Sequence, residues 1–498
     1  MTRRVLVALL AAGVVLPLVC SGPSAQAATT PAKPYDFDGD GRQELVVSAT
    51  GLMVGPMGWG AGGVVVLPTS VKGISLQPEL LTQTTIGDDP VEGGGFGYAL
   101  ASADFNRDGY ADLVIARPSY IGYGTSIGVL SVVPGSPDGL DPAGTTSLGN
   151  PNPGQDDNQT GLSGAMAVGD LTGDGYPDLA TSVTGADREV VGDETFAASG
   201  EVLVFAGGSR GLSRDPARTL RRQGPGGGHQ DWDSGFGSSL AVGDLNGDGR
   251  ADLVVGSRGG DGTYGTYPGS VSVCPGATGG PTGCTRVAHA AEYAGATSFA
   301  VGRVTGSARP DLVVAAPGAG KEAVGSVRVL KLKPTGPVAT GRTLVLTQAS
   351  RGVPGVDEPG DAFGTALALA DLDRDGLADL VVGAPGENRG SGRVTVVHGA
   401  KGGWRTRGNR TYDQSTRGIP GRAEPLDAFG SSLTLLDHDG DGRLDLAVGA
   451  PRENGSGAVT TLRGAGSGFT TKGSRTFGLT TLGIGPVEGA AFGDALGG

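Results

Sequence analysis

Short apolar runs separated by polar, glycine-rich segments define the pattern along this chain. Typical runs are Leu253-Val254-Val255, Leu380-Val381-Val382 and Arg393-Val-Thr-Val-Val397. Runs of this length, rich in β-branched residues and bounded by glycine and proline, are typical of sheet strands. About four such runs fall in each repeated unit, which is typical of one blade of a propeller. The pattern therefore predicts an all-β protein.

An acidic motif recurs in register with these strands and defines the repeated unit. Intact copies begin at Asp36, Asp104, Asp170, Asp244, Asp371 and Asp437, and a degraded copy begins at Arg303. Successive copies are 59 to 74 residues apart. Seven units of this size fill residues 28–498, so we expect one repeat domain, a seven-bladed β-propeller, and not several domains.

A Phe-Gly pair indicates how the ring closes. Phe96, Phe236, Phe363 and Phe429 each lie eight residues before the first Asp of an acidic loop. Phe492-Gly493 has no loop after it, whereas the loop at Asp36 has no Phe-Gly before it. We therefore expect a C-terminal strand at about Glu488 to Leu496 to complete the N-terminal blade, which leaves no free sheet edge.

Composition and charge narrow the class of protein further. With 95 glycines and 31 prolines in 498 residues, the chain resembles a low-complexity sequence until the glycines are seen to be periodic. The sequence contains no strict Gly-X-Y run, so collagen is excluded. The formal charge of -13 disfavours nucleic acid as a partner.

The N-terminus indicates export. Arg3 and Arg4 precede an apolar stretch, and Ala25-Gln-Ala27 is a small-x-small cleavage site, so we expect residues 1–27 to be a signal peptide. Lipid anchoring at Cys20 is the alternative, but the residues before Cys20 do not fit lipoprotein cleavage. No later stretch is apolar enough to span a membrane. In an oxidising exterior, Cys274 and Cys284 are expected to form a disulfide.

The acidic loops are predicted to bind metal. Oxygen ligands at loop positions 1, 3, 5 and 9, with the backbone carbonyl of position 7, converge when the glycine at position 6 allows a sharp turn, and such a cage suits Ca²⁺. An EF-hand is rejected because position 12 is apolar and a strand follows. Ordinary Asp-Gly turns would not recur six times in register. We therefore predict about six Ca²⁺ per chain, with none in the degraded loop at Arg303, which lacks carboxylates at positions 1 and 5.

The predicted ligands, loop by loop, are Asp36, Asp38, Asp40, Arg42 and Glu44; Asp104, Asn106, Asp108, Tyr110 and Asp112; Asp170, Thr172, Asp174, Tyr176 and Asp178; Asp244, Asn246, Asp248, Arg250 and Asp252; Asp371, Asp373, Asp375, Leu377 and Asp379; and Asp437, Asp439, Asp441, Arg443 and Asp445.

The order Phe-Gly, acidic loop, Gly-Ala-Pro resembles the FG-GAP repeats of the integrin α-subunit propeller and of bacterial secreted integrin-like proteins. Phe363-Gly364, Asp371 to Asp379 and Gly383-Ala-Pro385 carry the resemblance. It implies a seven-bladed propeller with Ca²⁺ in the loops between the first and second strands of each blade. The chain departs from it in the degraded loop, in the Phe-Gly missing before Asp170 and Arg303, and in Ala116-Arg-Pro118.

A ligand is expected on the face opposite the metal loops, where second-to-third-strand loops and blade connections emerge. Aromatic residues predicted there are Trp59, Tyr120, Tyr123, Trp232, Tyr264 and Tyr267, with His229 beside Trp232. The alternative role, which we favour, is that they pack between blades or cover the central channel. Gly207-Gly-Ser209-Arg-Gly211 matches GxSxG, but it lies in a hairpin and not in the strand-to-helix turn that a nucleophile needs.

These features predict a secreted monomer that is not an enzyme. The leading hypothesis is a calcium-binding adhesion module for an extracellular protein or surface. The alternative is a calcium-dependent lectin that binds a glycan.

Overall fold

Seven four-stranded antiparallel sheets follow one another along the chain and form the blades of a propeller. The computed structural model describes residues 30–55, 60–118, 121–122, 124–125, 128–150, 162–183, 190–191, 194–195, 200–221, 235–262, 265–267, 269–289, 293, 298–319, 321–333, 339–485 and 488–497. The predicted signal peptide and Cys20 lie outside these residues. The predicted fold class is confirmed.

The strands of each blade, from the first to the fourth, are Phe492–Gly497, Leu45–Ala49, Gly63–Leu67 and Glu79–Leu81 in blade 1; Leu100–Ala103, Asp112–Arg117, Val129–Val133 and Thr146–Leu148 in blade 2; Leu162–Gly169, Asp178–Val183, Glu201–Phe205 and Arg218–Arg221 in blade 3; Phe236–Gly243, Asp252–Ser257, Ser270–Cys274 and Thr285–His289 in blade 4; Ser298–Gly302, Asp311–Ala316, Ser326–Leu332 and Ala339–Leu346 in blade 5; Leu367–Ala370, Asp379–Ala384, Arg393–Val397 and Arg410–Tyr412 in blade 6; and Ser432–Leu436, Asp445–Ala450, Ala458–Gly464 and Phe469–Phe477 in blade 7.

Small elements decorate the loops. The two-stranded hairpins are Ile121–Gly122 with Gly124–Thr125, Gly135–Ser136 with Gly139–Leu140, Val190–Val191 with Glu194–Thr195, Gly260–Gly262 with Gly265–Tyr267, and Gly399–Ala400 with Gly403–Trp404. Helical segments are Glu387–Gly390 and the 3-10 turns Pro142–Gly144, Lys321–Ala323 and Glu453–Gly455. None of the helices in the described part of the chain could span a membrane.

Hydrophobic clusters between neighbouring blades hold the ring together. Successive residues of a strand face opposite sides of its sheet, so the strand packs against both neighbouring blades. In blade 1, Val46 packs in a cluster with blade 2, whereas Leu45 and Val47 pack in a cluster with blade 7. Seven such clusters join successive blades all the way round. The buried strands therefore read as continuous apolar runs.

The C-terminal strand closes the ring, as the Phe-Gly spacing predicts. Strand Phe492–Gly497 pairs antiparallel with Leu45–Ala49, with Val46 opposite Gly497 and Ala49 opposite Phe492. The Ser48 hydroxyl accepts a hydrogen bond of 2.7 Å from the Ala495 amide, and Thr50 donates one of 3.0 Å to Asp494. Blade 1 is thus built from both ends of the described chain.

The Phe-Gly pairs connect each blade to the one before it. Phe363, Phe429 and Phe492 are fully buried, and each forms a parallel β-bridge with the glycine that precedes the third strand of the preceding blade. The following glycine has positive φ, for example 102° at Gly364, a conformation that disfavours residues with a Cβ. In blade 3, where the pair is missing, Leu162 lies eight residues before Asp170 and is fully buried.

Cys274 and Cys284 form the predicted disulfide. It joins the end of the third strand of blade 4 to the residue before the fourth strand. This prediction is confirmed.

Candidate metal loops and the opposite face

Each acidic loop lies between the first and second strands of its blade, and its backbone is wrapped around its own carboxylates. In blade 6, the position-1 carboxylate of Asp371 accepts hydrogen bonds from the amides of Asp375 and Gly376, at 3.0 and 2.8 Å. Asp375 in turn accepts one of 2.9 Å from the amide of Leu377. The same contact from the position-6 glycine to position 1 recurs in all six intact loops.

The glycine at position 6 has the left-handed backbone that the turn requires. Its φ is 84° at Gly376 and 80° at Gly442, where residues with a Cβ are strained. The degraded loop of blade 5 has Ala308 at this position, and Ala308 does not have a positive φ. The backbone of that loop therefore turns differently at position 6 from the backbones of the intact loops.

The position-9 carboxylate ties the loop to the rest of the blade. In blade 6, Asp379 accepts hydrogen bonds from the amide of Leu372 in its own loop and from the amide of Gly399, which follows the third strand. Equivalent glycine amides bind position 9 in blades 2, 3, 4 and 7, and they belong to Gly135, Gly207, Gly276 and Gly464. All seven position-9 carboxylates are buried.

Three of the intact loops bring carboxylates together closely enough to hold a metal ion. The converging groups are Asp36, Asp38 and Asp40; Asp371, Asp373 and Asp375; and Asp437, Asp439 and Asp445. The ligand atoms in each group lie within 4.8 Å of one another. Such oxygen-rich sets suit a hard cation. One buried oxygen in two of them, Oδ1 of Asp36 and of Asp373, has no hydrogen-bond partner.

The described loops of blades 2, 3 and 4 bring together fewer ionisable ligands. Their position-3 residues are Asn106, Thr172 and Asn246. Asn106 and Asn246 donate hydrogen bonds to the position-5 carboxylates, and Thr172 donates one of 3.3 Å to Asp178. No group of three carboxylate, histidine or cysteine ligands converges in them among the described residues. Metal binding by these loops stays a prediction.

Burial and mutual repulsion raise the pKa of several loop carboxyls. Desolvation, with the nearby Asp38 and Asp36 carboxylates, raises the pKa of Glu44 to about 8. Desolvation raises the pKa of Asp112 to about 7, with Asp108 and Asp104 adding to the effect. Without a cation, these loops therefore hold carboxyls that are reluctant to ionise.

In blade 5, hydroxyl groups take the place of the missing carboxylates. Thr305 and Ser307 both donate to the position-9 residue Asp311, at 2.9 and 2.8 Å. The guanidinium Nε of Arg303 donates to the Ser307 carbonyl. The loop thus satisfies Asp311 with its own donors.

Arginine and histidine side chains reach into the loops of blades 6 and 7, which sequence reasoning missed. Arg405 forms ion pairs of 2.6 Å with both Asp373 and Asp375, and Arg463 pairs with Asp439. His398 Nδ1 lies 3.1 Å from Asp379 Oδ2. A glycine recurs two residues after the last residue of the third strand at 135, 207, 276 and 399, and as the last residue of that strand at 464. This glycine could have marked the residue before it as a loop neighbour.

The position-9 carboxylate should stabilise the fold even where no metal binds. Asp311→Ala is expected to lower the free energy of unfolding by about 1–3 kcal/mol, because it leaves the buried Thr305 amide without its acceptor. Asp379→Ala should lower the free energy of unfolding by a similar amount in chelator and by clearly more in calcium. The measurement is urea unfolding of both variants in each buffer. Equal calcium sensitivity of the two variants would contradict the distinction between the loops.

The aromatic residues predicted for the opposite face lie mostly outside the described residues. This applies to Trp59, Tyr120, Tyr123, Trp232 and Tyr264, and to His229. Tyr267 ends the strand Gly265–Tyr267, which does lie between the second and third strands of blade 4. Their part in binding stays a prediction.

A groove on that same face is fully described. It has a volume of about 510 Å³ and lies where blades 6, 7 and 1 meet. Leu426, which is exposed, Pro385 and Pro451 supply apolar walls, and Arg452 and Asp494 supply charge. These residues come from second-to-third-strand loops, blade connections and the start of the C-terminal strand. Sequence reasoning did not find this groove.

The GxSxG segment lies between the third and fourth strands of blade 3. Its first glycine, Gly207, donates its amide to the position-9 residue Asp178 at 3.0 Å. The segment is therefore part of the loop anchor and not a strand-to-helix turn.

The family model for the FG-GAP repeat matches residues 96–133, 164–205, 236–274, 363–397 and 429–462. Each match contains one acidic loop with its flanking strands. The chain thus carries five FG-GAP repeats within a seven-bladed ring, and these matches support an FG-GAP β-propeller family.

Curated relatives include integrin α chains. The chain is 32% identical over 240 residues to integrin alpha pat-2 of Caenorhabditis elegans, which covers 45% of this chain and 18% of that protein. It is 36% identical over 181 residues to the phosphatidylinositol-glycan-specific phospholipase D of Bos taurus, covering 32% of this chain and 18% of that protein. The chain thus matches under a fifth of the length of each.

Two solved lyase structures resemble the fold weakly. The exotype rhamnogalacturonan lyase YesX matches with a TM-score of 0.32 and 14% identity, over 84% of this chain and 65% of that chain. The Bacillus licheniformis rhamnogalacturonan lyase PL11 matches with a TM-score of 0.32 and 12% identity, over 88% and 69%.

Proposed function

We propose that this protein is a secreted, calcium-stabilised propeller that serves as a non-catalytic binding module for an extracellular protein or cell-surface ligand. The observation that carries the calcium part is the convergence of carboxylates in the loops at Asp36, Asp371 and Asp437. Their oxygen-only donor sets, turned by a left-handed glycine, fit a calcium ion. When bound, the ion would offset the mutual repulsion of the loop carboxylates.

The residues of the chain divide this work between ligation and anchoring. Positions 1, 3 and 5 would supply the exposed side of each cage. Position 9 holds the loop against the third strand through the glycine amide, as Asp379 does with Gly399. Each filled loop would therefore stiffen the connection between the first three strands of its blade.

Similarity to integrin α chains supports the extracellular binding role, and the Cys274–Cys284 disulfide supports an oxidising compartment. The groove at blades 6, 7 and 1 is a described surface that suits a protein ligand, because it combines exposed apolar area with both signs of charge. We favour a protein ligand. A lectin is the second candidate, and it is retained as an outcome of the test.

The test measures binding of the full chain, with calcium or chelator, to a glycan array and to an array of extracellular proteins. Leu426 is 61% exposed with a φ of 74°, so Leu426→Asn removes apolar surface while keeping a residue that tolerates this backbone. Val71→Asn is the matched control, since Val71 is 70% exposed in a third-to-fourth-strand loop on the metal face.

We expect calcium-dependent protein binding that falls at least about tenfold in Leu426→Asn, as for loss of a contact worth about 1.4 kcal/mol, and is unchanged in Val71→Asn. Binding confined to glycans would favour the lectin. Binding that is equally strong in chelator would show that ligand recognition does not require calcium.

A further inference from the structure

His398 is a buried imidazole at the inner side of the blade 6 loop. It is 1% exposed, and neither ring nitrogen makes a hydrogen bond, although Nδ1 lies 3.1 Å from Asp379 Oδ2. A buried polar group without a hydrogen bond is costly, so such groups are rare unless another ligand satisfies them. The ring nitrogens of His398 are therefore available to bind a further ligand beside the blade 6 loop.

Two carboxylates share this position with the imidazole. One nitrogen of His398 and one oxygen each of Asp373 and Asp379 lie within 4.8 Å of one another. Oδ1 of Asp373 is buried and has no hydrogen-bond partner. Its other oxygen, Oδ2, pairs with Arg405 at 2.6 Å. Arg405 thus pairs with one oxygen of Asp373, and Oδ1 remains available to a ligand.

The strand register shows what other blades place here. In blades 2, 3, 4 and 6 a residue separates the end of the third strand from the glycine that binds position 9, and in blade 7 the equivalent residue precedes Gly464. We call this the pre-glycine position. It holds Pro134, Ala206, Pro275, His398 and Arg463 in blades 2, 3, 4, 6 and 7.

Blade 7 supplies its own cation at the pre-glycine position. The Arg463 guanidinium pairs with Asp439, the counterpart of Asp373. Proline and alanine in blades 2 to 4 offer no donor or charge. Among these five blades, only blade 6 has a pre-glycine side chain with a nitrogen lone pair. A neutral imidazole can bind a metal ion, whereas the Arg463 guanidinium takes the place of a cation.

We propose that His398, Asp373 and Asp379 form a mixed nitrogen and oxygen site for a divalent transition-metal ion of the zinc class. Imidazole with carboxylates suits such ions, whereas Ca²⁺ takes oxygen ligands. Zinc bonds are about 2.0–2.2 Å long, so three ligand atoms that already lie within 4.8 Å of one another would need only a small closure. The inference adds to the proposed calcium function and uses residues of the same loop, so the two must be measured separately.

The test uses the full chain, stripped with chelator and dialysed against micromolar zinc in millimolar calcium, followed by elemental analysis for both metals. Excess calcium fills the loops at Asp36 and Asp437, whose converging groups hold oxygen ligands only, so retained zinc reports the mixed site of blade 6. The variants are His398→Gln and His398→Arg, the second copying blade 7. His438→Gln is the matched control, because His438 Nδ1 lies 2.7 Å from Asp445 but is not part of the converging group of blade 7.

We expect the parent chain and His438→Gln to retain one zinc ion. Both His398 variants should bind zinc at least about 100-fold more weakly, since even residues that only orient a ligand typically cost 10–100-fold in metal affinity. Visible absorption of Co²⁺ in place of zinc should weaken in the same variants. If His398→Gln unfolds, Asp373→Asn serves as the second variant, with the same expected loss.

Zinc binding that is unchanged by His398→Gln would overturn the site, as would a parent chain that retains no zinc in calcium. Zinc without any bound calcium would refute the proposed calcium function and support this site. Calcium binding without zinc binding would support the proposed calcium function and refute this site.

Discussion

Removing bound calcium is expected to lower the melting temperature of the protein by about 8 °C. The three loops with converging carboxylates, each filled at about 100 times its Kd, would each add about 2.7 kcal/mol, and a chain of this size loses about 1 °C per kcal/mol. The measurement is calorimetric melting in millimolar calcium and in EDTA. Equal melting temperatures in the two buffers would exclude calcium as a stabilising ligand.

The calcium effect should grow with pH. In the folded state the pKa of Glu44 is raised to about 8 and that of Asp112 to about 7, chiefly by desolvation. A group with a raised folded pKa contributes stability below its unfolded pKa, and that contribution is lost as pH rises through the folded value. Protein in EDTA should therefore be more stable at pH 5 than at pH 8.

Calcium favours the ionised carboxylates, so it should flatten this dependence and widen the gap between the two buffers toward pH 8. The matched control is Ser307→Ala in the blade 5 loop, which should leave the calcium effect unchanged because that loop lacks the carboxylates at positions 1 and 5.

Deleting residues 492–498 is expected to destabilise the protein more than any single substitution in the ring. The deletion removes the first strand of blade 1, exposes the edge of Leu45–Ala49 and empties the place of Phe492 in the cluster between blades 7 and 1. Loss of Phe492 alone, as in Phe492→Ala, should cost about 3–5 kcal/mol. We expect the truncated chain to aggregate through its open edge or to melt far below the full chain.

Two comparisons make this deletion interpretable. Removal of Gly498 alone should have little effect, since the strand ends at Gly497. Phe492→Ala should keep the ring closed and lower stability without aggregation, measured by light scattering beside melting. A truncated chain that melts like the full chain would show that the pairing between Val46 and Gly497 is dispensable.

The sequence predicted the architecture because the repeat carries its own register. The eight-residue spacing from Phe363 to Asp371 locates the first strand and its loop, and the unpaired Phe492-Gly493 reveals the closure of the ring. Both features are local, and both reflect backbone needs, namely a positive φ and a fixed strand length. The structure confirms each of them.

The chemistry inside the loops was less predictable because it depends on contacts across strands. Arg405 follows Asp373 by 32 positions, and nothing in the spacing says that its guanidinium turns back to the loop. His398 carries no motif of its own. Its relation to Asp379 appears only when the third strand is placed in register, with Leu380 opposite Val397.

Blade 1, shared between residues 45–81 and the strand Phe492–Gly497, sets the order of events when the chain is made. Six blades are complete in sequence before the final strand is synthesised, but the first-made segment must wait for the last-made one. The ring therefore cannot close before the strand Phe492–Gly497 has been made. The strands Leu45–Ala49, Gly63–Leu67 and Glu79–Leu81 can pair with one another early, but one edge of Leu45–Ala49 stays open until Phe492–Gly497 reaches it.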